Sequence, residues 1–495
     1  MDELRHGLGE ESDGAHEPLA GEPGDAGQPP AADDWAAVAS RLSAYSTEPD
    51  MPSGAPPHVL PEEPALPAAD AVEAEAEPAT EDASESVTAT VAADAVTAVA
   101  ATEVATGRRA RLSFRHRAKG DEGSPERASK AKKQDARRET RRKHAKKLVG
   151  LKIGSSQIAA ARIENNGSPE LVEVIREPLA AGLVSAGEIR DPDALAEVLR
   201  GFFSRHKLPK KGIRLGLSNN RIGVRVFEIE GVMDERQLEN AIRYRAEEVL
   251  PIPLDQAVLD YVVLGEDTRE DGTPSRRILL VVAYRDAVER YLLACRGAGL
   301  DVVGVDLEAF ALLRSLAPPT DQPSKGGGLV AVNVGHDRTT MAVSTGRYCE
   351  FTRVLDWGGW ALNVAIAREL DRAPSEVEGI KRQLSFAAKT VVDGLTPEQT
   401  TKVREAAQRA LATYARELVA SLQFYQAQPG ALGIGEVLVT GGTSQMPGFP
   451  EELGRLIGVP VTLGDPFRRV RVGRKVVASD SPGSLAVAIG LGIED

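Results

Sequence analysis

At 495 residues the chain is too long for one hydrophobic core, so two or more compact units are expected. Its net charge of −13 averages three regimes: residues 1–107 carry 23 acidic against 2 basic side chains, residues 108–147 carry 17 basic against 5 acidic, and the remainder is nearly balanced. Two cysteines with no Cys-x-x-Cys or Cys/His cluster exclude a disulfide framework and a zinc site and fit a reducing compartment, while no run approaches the roughly 18 apolar residues of a membrane-spanning helix.

The start, MDELRHGLGEESDG, is acidic and lacks the apolar core of a secretory signal. Residues 1–107 are rich in Ala, Pro, Glu and Gly and hold too little apolar surface to offset chain entropy, which predicts a long disordered tail. Within it, ADDWAAVASRLSAYS at 32–46 sets Trp35, Val38, Leu42 and Tyr45 at helical spacing: either a helix that folds onto a partner groove or an apolar cluster in a tail. Residues 108–147 end in SKAKKQDARRETRRKHAKK and form a basic linker. Only Phe114 is aromatic there, so a nucleic acid is disfavoured as partner. An anionic membrane surface, at about 1 kcal/mol per basic residue, or plain solvation accounts for the charge.

From residue 148 the pattern becomes globular. LVGLKIG, QIAAARI and LVEVIREPL read as three strands joined by Gly and Asn turns. DPDALAEVLRGFFSRH at 191–206 reads as a helix with Pro192 in its first turn and Leu195, Val198, Leu199, Phe202 and Phe203 inward. The strand GIRLGLS follows, then a helix at 234–250 stopped by Pro-Ile-Pro, and then AVLDYVVLG and RRILLVVAYR as a hairpin. DAVERYLLACRGAG is helical, and LDVVGVDLEAFALLRSL runs from strand into helix. A Pro/Gly/Ser break at 318–328 separates two units.

The pattern then restarts. An apolar strand, a glycine turn and a returning apolar strand occur at 148–163 (LVGLKIGSSQIAAARI) and again at 329–344 (LVAVNVGHDRTTMAVS). Either these are two ordinary hairpins, or two related α/β halves close on one ligand, each turn offering backbone N–H groups to a phosphate. A third turn, in EVLVTGGTSQMPGFPEEL at 436–453, ends a buried strand in Gly441-Gly442-Thr443, where backbone can approach a flat or charged ligand. Three such turns, about 180 and 110 residues apart, are a stronger signal than one.

In this order the turns resemble those of the actin-like ATPase superfamily. More narrowly, NAIRYRAEEVLPIPLDQAVLDYVVL (240–264), VVGVDLEAFALLRSL (302–316), GGWALNVAIARELDRAPSEVEGIKRQ (358–383) and LVASLQFYQAQ (418–428) resemble the PilM family of type IV pilus assembly proteins, relatives of FtsA. The resemblance covers about 148–475 and implies an α/β, actin-like (ribonuclease H-like) two-lobed fold behind the tail. Lobe I is then expected at 148–326, with an inserted subdomain at about 227–310, and lobe II at 327–495 with a return to lobe I. It further implies ATP as ligand. Carried over, the first phosphate turn is Gly154, Ser155, Ser156 and Gln157, and the second is Gly335, His336, Asp337 and Thr339. The adenosine wall is Gly441, Gly442 and Thr443, and EGIKRQLS nominates Glu378, Lys381, Arg382 and Ser385 around ribose and base, although such a charged helix face can also be plain solvated surface.

Two positions depart from the superfamily. Lys152 stands where the first strand carries an acid, and Asn333 stands where the second hairpin opens with Asp. Those carboxylates hold Mg²⁺ and orient the attacking water; an amine repels the cation and an amide carries no charge. The expected site therefore holds no metal and Mg is disfavoured. Lys152 could instead face a phosphate as a point charge, in a non-hydrolysing nucleotide site, or nucleotide binding could be lost altogether.

The family resemblance implies a cytoplasmic scaffold, peripheral to the inner membrane, that binds the tail of a PilN-like bitopic protein in a pilus or type II secretion platform. It also implies contact with the pilus motor ATPase, and self-association. The alternative is an active metal-dependent ATPase or kinase, for which Asp337 is the spare acid.

Overall fold

The computed structural model of the chain describes residues 109–110 and 147–494, apart from 233, 251, 270, 321–326, 389, 429, 475 and 477–480. The acidic tail, the candidate helix at 32–46 and nearly all of the basic linker lie outside the described residues.

Lobe I grows from a meander. Strands β2 (Lys147–Ile153), β3 (Gln157–Asn166) and β4 (Ser168–Pro178) pair antiparallel, and β7 (Lys211–Leu217) and β11 (Asp301–Leu307) extend the sheet in parallel on the β2 side. The short strand β17 (Arg471–Val472) closes the other edge, giving the order β11-β7-β2-β3-β4-β17. A two-strand hairpin, β5 (Val184–Ser185) and β6 (Glu188–Ile189), precedes helix α1 (Pro192–Arg205). That helix starts where the sequence demands: Asp191 accepts from the N–H groups of Asp193 and Ala194, and Pro192 needs no partner in the first turn. It buries Leu195, Leu199, Phe202 and Phe203, each contributing about 1.5–3 kcal/mol of apolar burial.

The insert is a separate antiparallel sheet of β8 (Ile222–Glu230), β9 (Ala257–Thr268) and β10 (Pro274–Tyr284), with the two-residue β1 (Arg109–Ala110) on the β9 edge. Helix α2 (Glu235–Val249) lays Leu238, Ile242 and Ala246 into the same small core as Leu259, Tyr261, Ile278 and Leu280. The inserted sheet thus spans 222–284, against the expected 227–310. Helix α3 (Arg285–Gly297) packs on α1 and shares the lobe I core, because its buried Val288, Tyr291, Leu292 and Cys295 face lobe I.

Lobe II repeats the plan: β12 (Gly328–Val334), β13 (Thr339–Ser344) and β14 (Cys349–Leu355) form a meander, and β15 (Ile434–Thr440) and β16 (Val461–Leu463) add in parallel, in the order β14-β13-β12-β15-β16. Helices α5 (Gly359–Leu370), α6 (Glu378–Gln383), α7 (Pro397–Gln426) and α8 (Phe449–Ile457) cover it. The 30-residue α7 opens on a capping box between Thr396 and Gln399. Its face of Leu411, Leu418 and Leu422 sits in the lobe II core.

Two buried helices form the seam. Helix α4 (Glu308–Leu316) touches β12 and β13 of lobe II as well as β11 and β7 of lobe I. Helix α9 (Ala486–Gly492) packs on α4 and on β2 and β3. The approach is backbone to backbone, since a Cβ on Gly490 would lie 1.8 Å from the Ala311 carbonyl oxygen. Under the seam, Arg314 Nη2 donates to Asp306 Oδ2 at 2.6 Å, with both side chains 1% exposed, and Nη1 donates to the Gly490 carbonyl at 2.6 Å. Among the described residues no helix is long and apolar enough to cross a membrane.

Candidate functional site

Both sequence-read turns have the same internal geometry. The Gly154 N–H donates to the Gln157 carbonyl and the Gly335 N–H to the Arg338 carbonyl, each at 2.9 Å. They meet at the mouth between the lobes. Ser155 Oγ donates to Asp337 Oδ1 at 2.6 Å, and the Ala186 N–H, in the turn between β5 and β6, donates to Asp337 Oδ2 at 3.0 Å. Deeper in, the hydroxyls of Ser218 and Thr340 share a hydrogen bond of 2.7 Å across the lobes. Ser156 contributes its carbonyl to the Leu179 N–H, and Gln157 starts β3 opposite Pro178.

Lys152 does not project free into this mouth. Its ammonium lies 3.1 Å from Glu308 Oε2, and the two side chains are 12% and 6% exposed. Glu308 was not singled out from the sequence, although an acid inside the apolar run VDLEAFALL is the kind of buried charge that requires a partner. Asn333 is buried on β12, in register with Thr340 on β13 and Thr440 on β15.

A second corner gathers the remaining nominated residues around the first turn of α5. Gly359 donates its N–H to the Gly335 carbonyl at 3.0 Å, and Thr443 Oγ donates to the same carbonyl at 3.1 Å. The buried Lys381 ammonium reaches Glu378 Oε2 at 2.7 Å and the Gly359 carbonyl at 3.3 Å. Asn363 and Arg382 complete the shell of Glu378 at 2.9 and 3.0 Å. Burial alone would raise the Glu378 carboxyl, but its bonds to Lys381 and Asn363 hold it below the ordinary value; burial lowers Lys381 despite that pairing. Gly442 borders open space, whereas Gly441 (φ 101°) is required because Val334 backbone passes where its side chain would be.

Other nominated groups serve the framework. Thr339 Oγ donates to the Trp357 carbonyl at 2.8 Å, and Ser385 Oγ accepts from the N–H groups of Ala387 and Ala388. The Arg382 side chain is 76% exposed.

His336 is half-buried, its ring 5.4 Å from that of Trp360. Burial, then the Lys381 charge, lowers its pKa below the ordinary 6.5. The unfolded chain thus takes up the proton first, so the contribution of the neutral ring is present above about pH 6.5 and is lost as pH falls from there through the lower value of the folded ring. The melting temperature is expected to drop between pH 7.5 and 5.5 by more in the wild type than in His336→Gln, measured by scanning calorimetry.

The residues do not fit a magnesium triphosphate. Lys152, paired with Glu308, and Asn333 stand where the resemblance places metal-holding acids, and both oxygens of Asp337 are already engaged.

A groove of about 870 Å³ opens between the insert and lobe II. Among the described residues β8 pairs only with β10 and β14 only with β13, and the two edges lie near each other along this groove. Val226, Ile252, Tyr284, Phe351 and Phe424 supply apolar lining, with Phe424 57% exposed and its ring 5.9 Å from Phe351. At the base, Glu350 bridges Arg277 of β10 (2.6 Å) and the Tyr425 hydroxyl of α7 (3.0 Å).

The family model "Type IV pilus assembly protein PilM" matches residues 150–495, essentially the entire described globule. The chain belongs to the PilM family. A solved PilM–PilN type IV pilus biogenesis complex superposes with a TM-score of 0.57 at 25% identity, covering 70% of this chain and 97% of that one, and the two-lobed actin-like fold stands with it. Cell division protein FtsA of Bacillus subtilis is 24% identical over 335 residues, 61% of this chain and 74% of FtsA. FtsA of Pseudomonas aeruginosa is 25% identical over 362 residues, 65% of this chain and 84% of FtsA. Membership of the PilM family agrees with the four stretches read from the sequence, all of which fall inside the matched range.

Proposed function

We propose that the protein is an adaptor in the inner-membrane platform of a type IV pilus or related type II secretion system. On this reading it works on the cytoplasmic side and holds the cytoplasmic tail of a PilN-like bitopic protein in the groove between β8 and β14. The observation that carries this is one groove lined by two strand edges, unpaired among the described residues, with apolar side chains set among charged ones. An extended peptide laid there gains main-chain hydrogen bonds from either edge and places alternate side chains against Phe351, Phe424 and Ile252. The PilN present in the solved PilM complex supports the choice of partner. Contact with the pilus motor ATPase and self-association belong to the same reading, as does electrostatic contact of 108–147 with anionic lipid, by its net positive charge.

The cleft, on this reading, takes a nucleotide at its nucleoside end and does not hydrolyse it. Purified full chain is expected to bind a synthetic PilN-type tail peptide in a fluorescence anisotropy titration and to release no phosphate from ATP above buffer, with or without Mg²⁺. Absence of peptide binding removes the adaptor reading. Metal-dependent turnover that disappears in Asp337→Asn establishes the ATPase alternative instead.

A further inference from the structure

The mouth of the cleft carries three donors of the kind that hold terminal phosphates: the Lys152 ammonium, the Ser155 hydroxyl and the Ala186 backbone N–H. Each already serves a carboxylate of this chain. Lys152 faces Glu308 at 3.1 Å, while Ser155 and Ala186 donate to the two oxygens of Asp337 at 2.6 and 3.0 Å. Asp337 belongs to lobe II and both of its donors to lobe I, from two separate turns 31 positions apart. Its two oxygens are thus used as a phosphate uses two of its own.

The backbone adds an independent observation. Ala186 has φ 56°, in the left-handed region that favours glycine or asparagine, at the first central position of the β5–β6 turn. Such a conformation in a residue with a Cβ persists where its surroundings over-determine it. The group that meets the Ala186 N–H is the Asp337 carboxylate.

We propose that Asp337 is a built-in substitute for a terminal phosphate: a carboxylate that ties the Ser155 turn and the Ala186 turn to lobe II and thereby excludes a third phosphate from the cleft. The inference rests on the reading of the cleft as non-hydrolysing, but not on the partner groove. A triphosphate entering here has to displace two charge-assisted hydrogen bonds and sit beside the charges of Asp337 and Glu308. Closure of the lobes in this family member is then a property of the chain and not of a bound nucleotide.

Amide hydrogen exchange on the full chain tests this. Asp337→Ala is expected to exchange roughly tenfold faster in both turns, 154–157 and 184–189, matching the loss of one to two charge-assisted bonds. Ser155→Ala, which keeps the charge, is expected to loosen 154–157 alone and guards against a variant that fails to fold. In the wild type, ATP with Mg²⁺ is expected to protect the two turns no more than ADP does. Unchanged exchange in Asp337→Ala overturns the proposal, and so does protection of both turns by ATP beyond that given by ADP. Phosphate release in the separate turnover assay would instead remove the non-hydrolysing reading.

Discussion

Asp306→Ala is expected to destabilise the fold by about 3–5 kcal/mol, because it leaves the Arg314 guanidinium charged and uncompensated beneath the seam. The carboxylate does more than neutralise. Its other oxygen accepts the Leu307 N–H at 2.8 Å, fixing the corner where β11 turns into α4, and Arg314 then reaches on to the Gly490 carbonyl of α9. One side chain therefore positions strand, seam helix and returning helix together. The double replacement Asp306→Leu with Arg314→Met removes both charges at once and is expected to lose less stability than Asp306→Ala alone. Urea denaturation of the wild type and the two variants measures this, and a double variant worse than the single one contradicts it.

Phe424→Glu is expected to weaken binding of the PilN-type tail peptide by thirtyfold or more, about 2 kcal/mol, while leaving the melting temperature within a degree or two of the wild type. The ring is 57% exposed, so its loss opens no internal cavity, yet it borders the groove beside Phe351. A glutamate there puts a solvated charge where apolar side chains of the peptide have to dry the surface. Val391 is a matched control: it is 53% exposed and lies outside the groove lining, so Val391→Glu leaves the affinity unchanged. Equal losses in the two variants, by titration calorimetry, contradict the placement of the peptide.

The sequence made the two hairpins legible because a glycine turn between apolar strands is a local pattern, and the common Gly-to-carbonyl closure of both turns follows from that pattern alone. Lys152 was equally legible as a departure. Its partner was not, since Glu308 lies 156 positions away and sits on what reads only as the start of an amphipathic helix. The same holds for Asp337: its position in the turn can be read, but that it meets Ser155 and Ala186 depends on how two lobes close. The groove was beyond reach for a similar reason, as its edges come from strands more than a hundred positions apart, and an unpaired edge has no signature in one dimension. Helix α3 lies within the expected bounds of the insert; its apolar periodicity does not say which core it joins, and its buried residues join that of lobe I.

The position of α9 bears on how the molecule is made. Among the described residues, the face of the meander that begins at Lys147 with Ala159, Ala161 and Ile163 is covered by the helix at 486–492, which the ribosome delivers after lobe II. Nascent chains would therefore carry Ala159, Ala161, Ile163 and Leu171 uncovered for most of synthesis, a state suited to chaperone capture and prone to sticking.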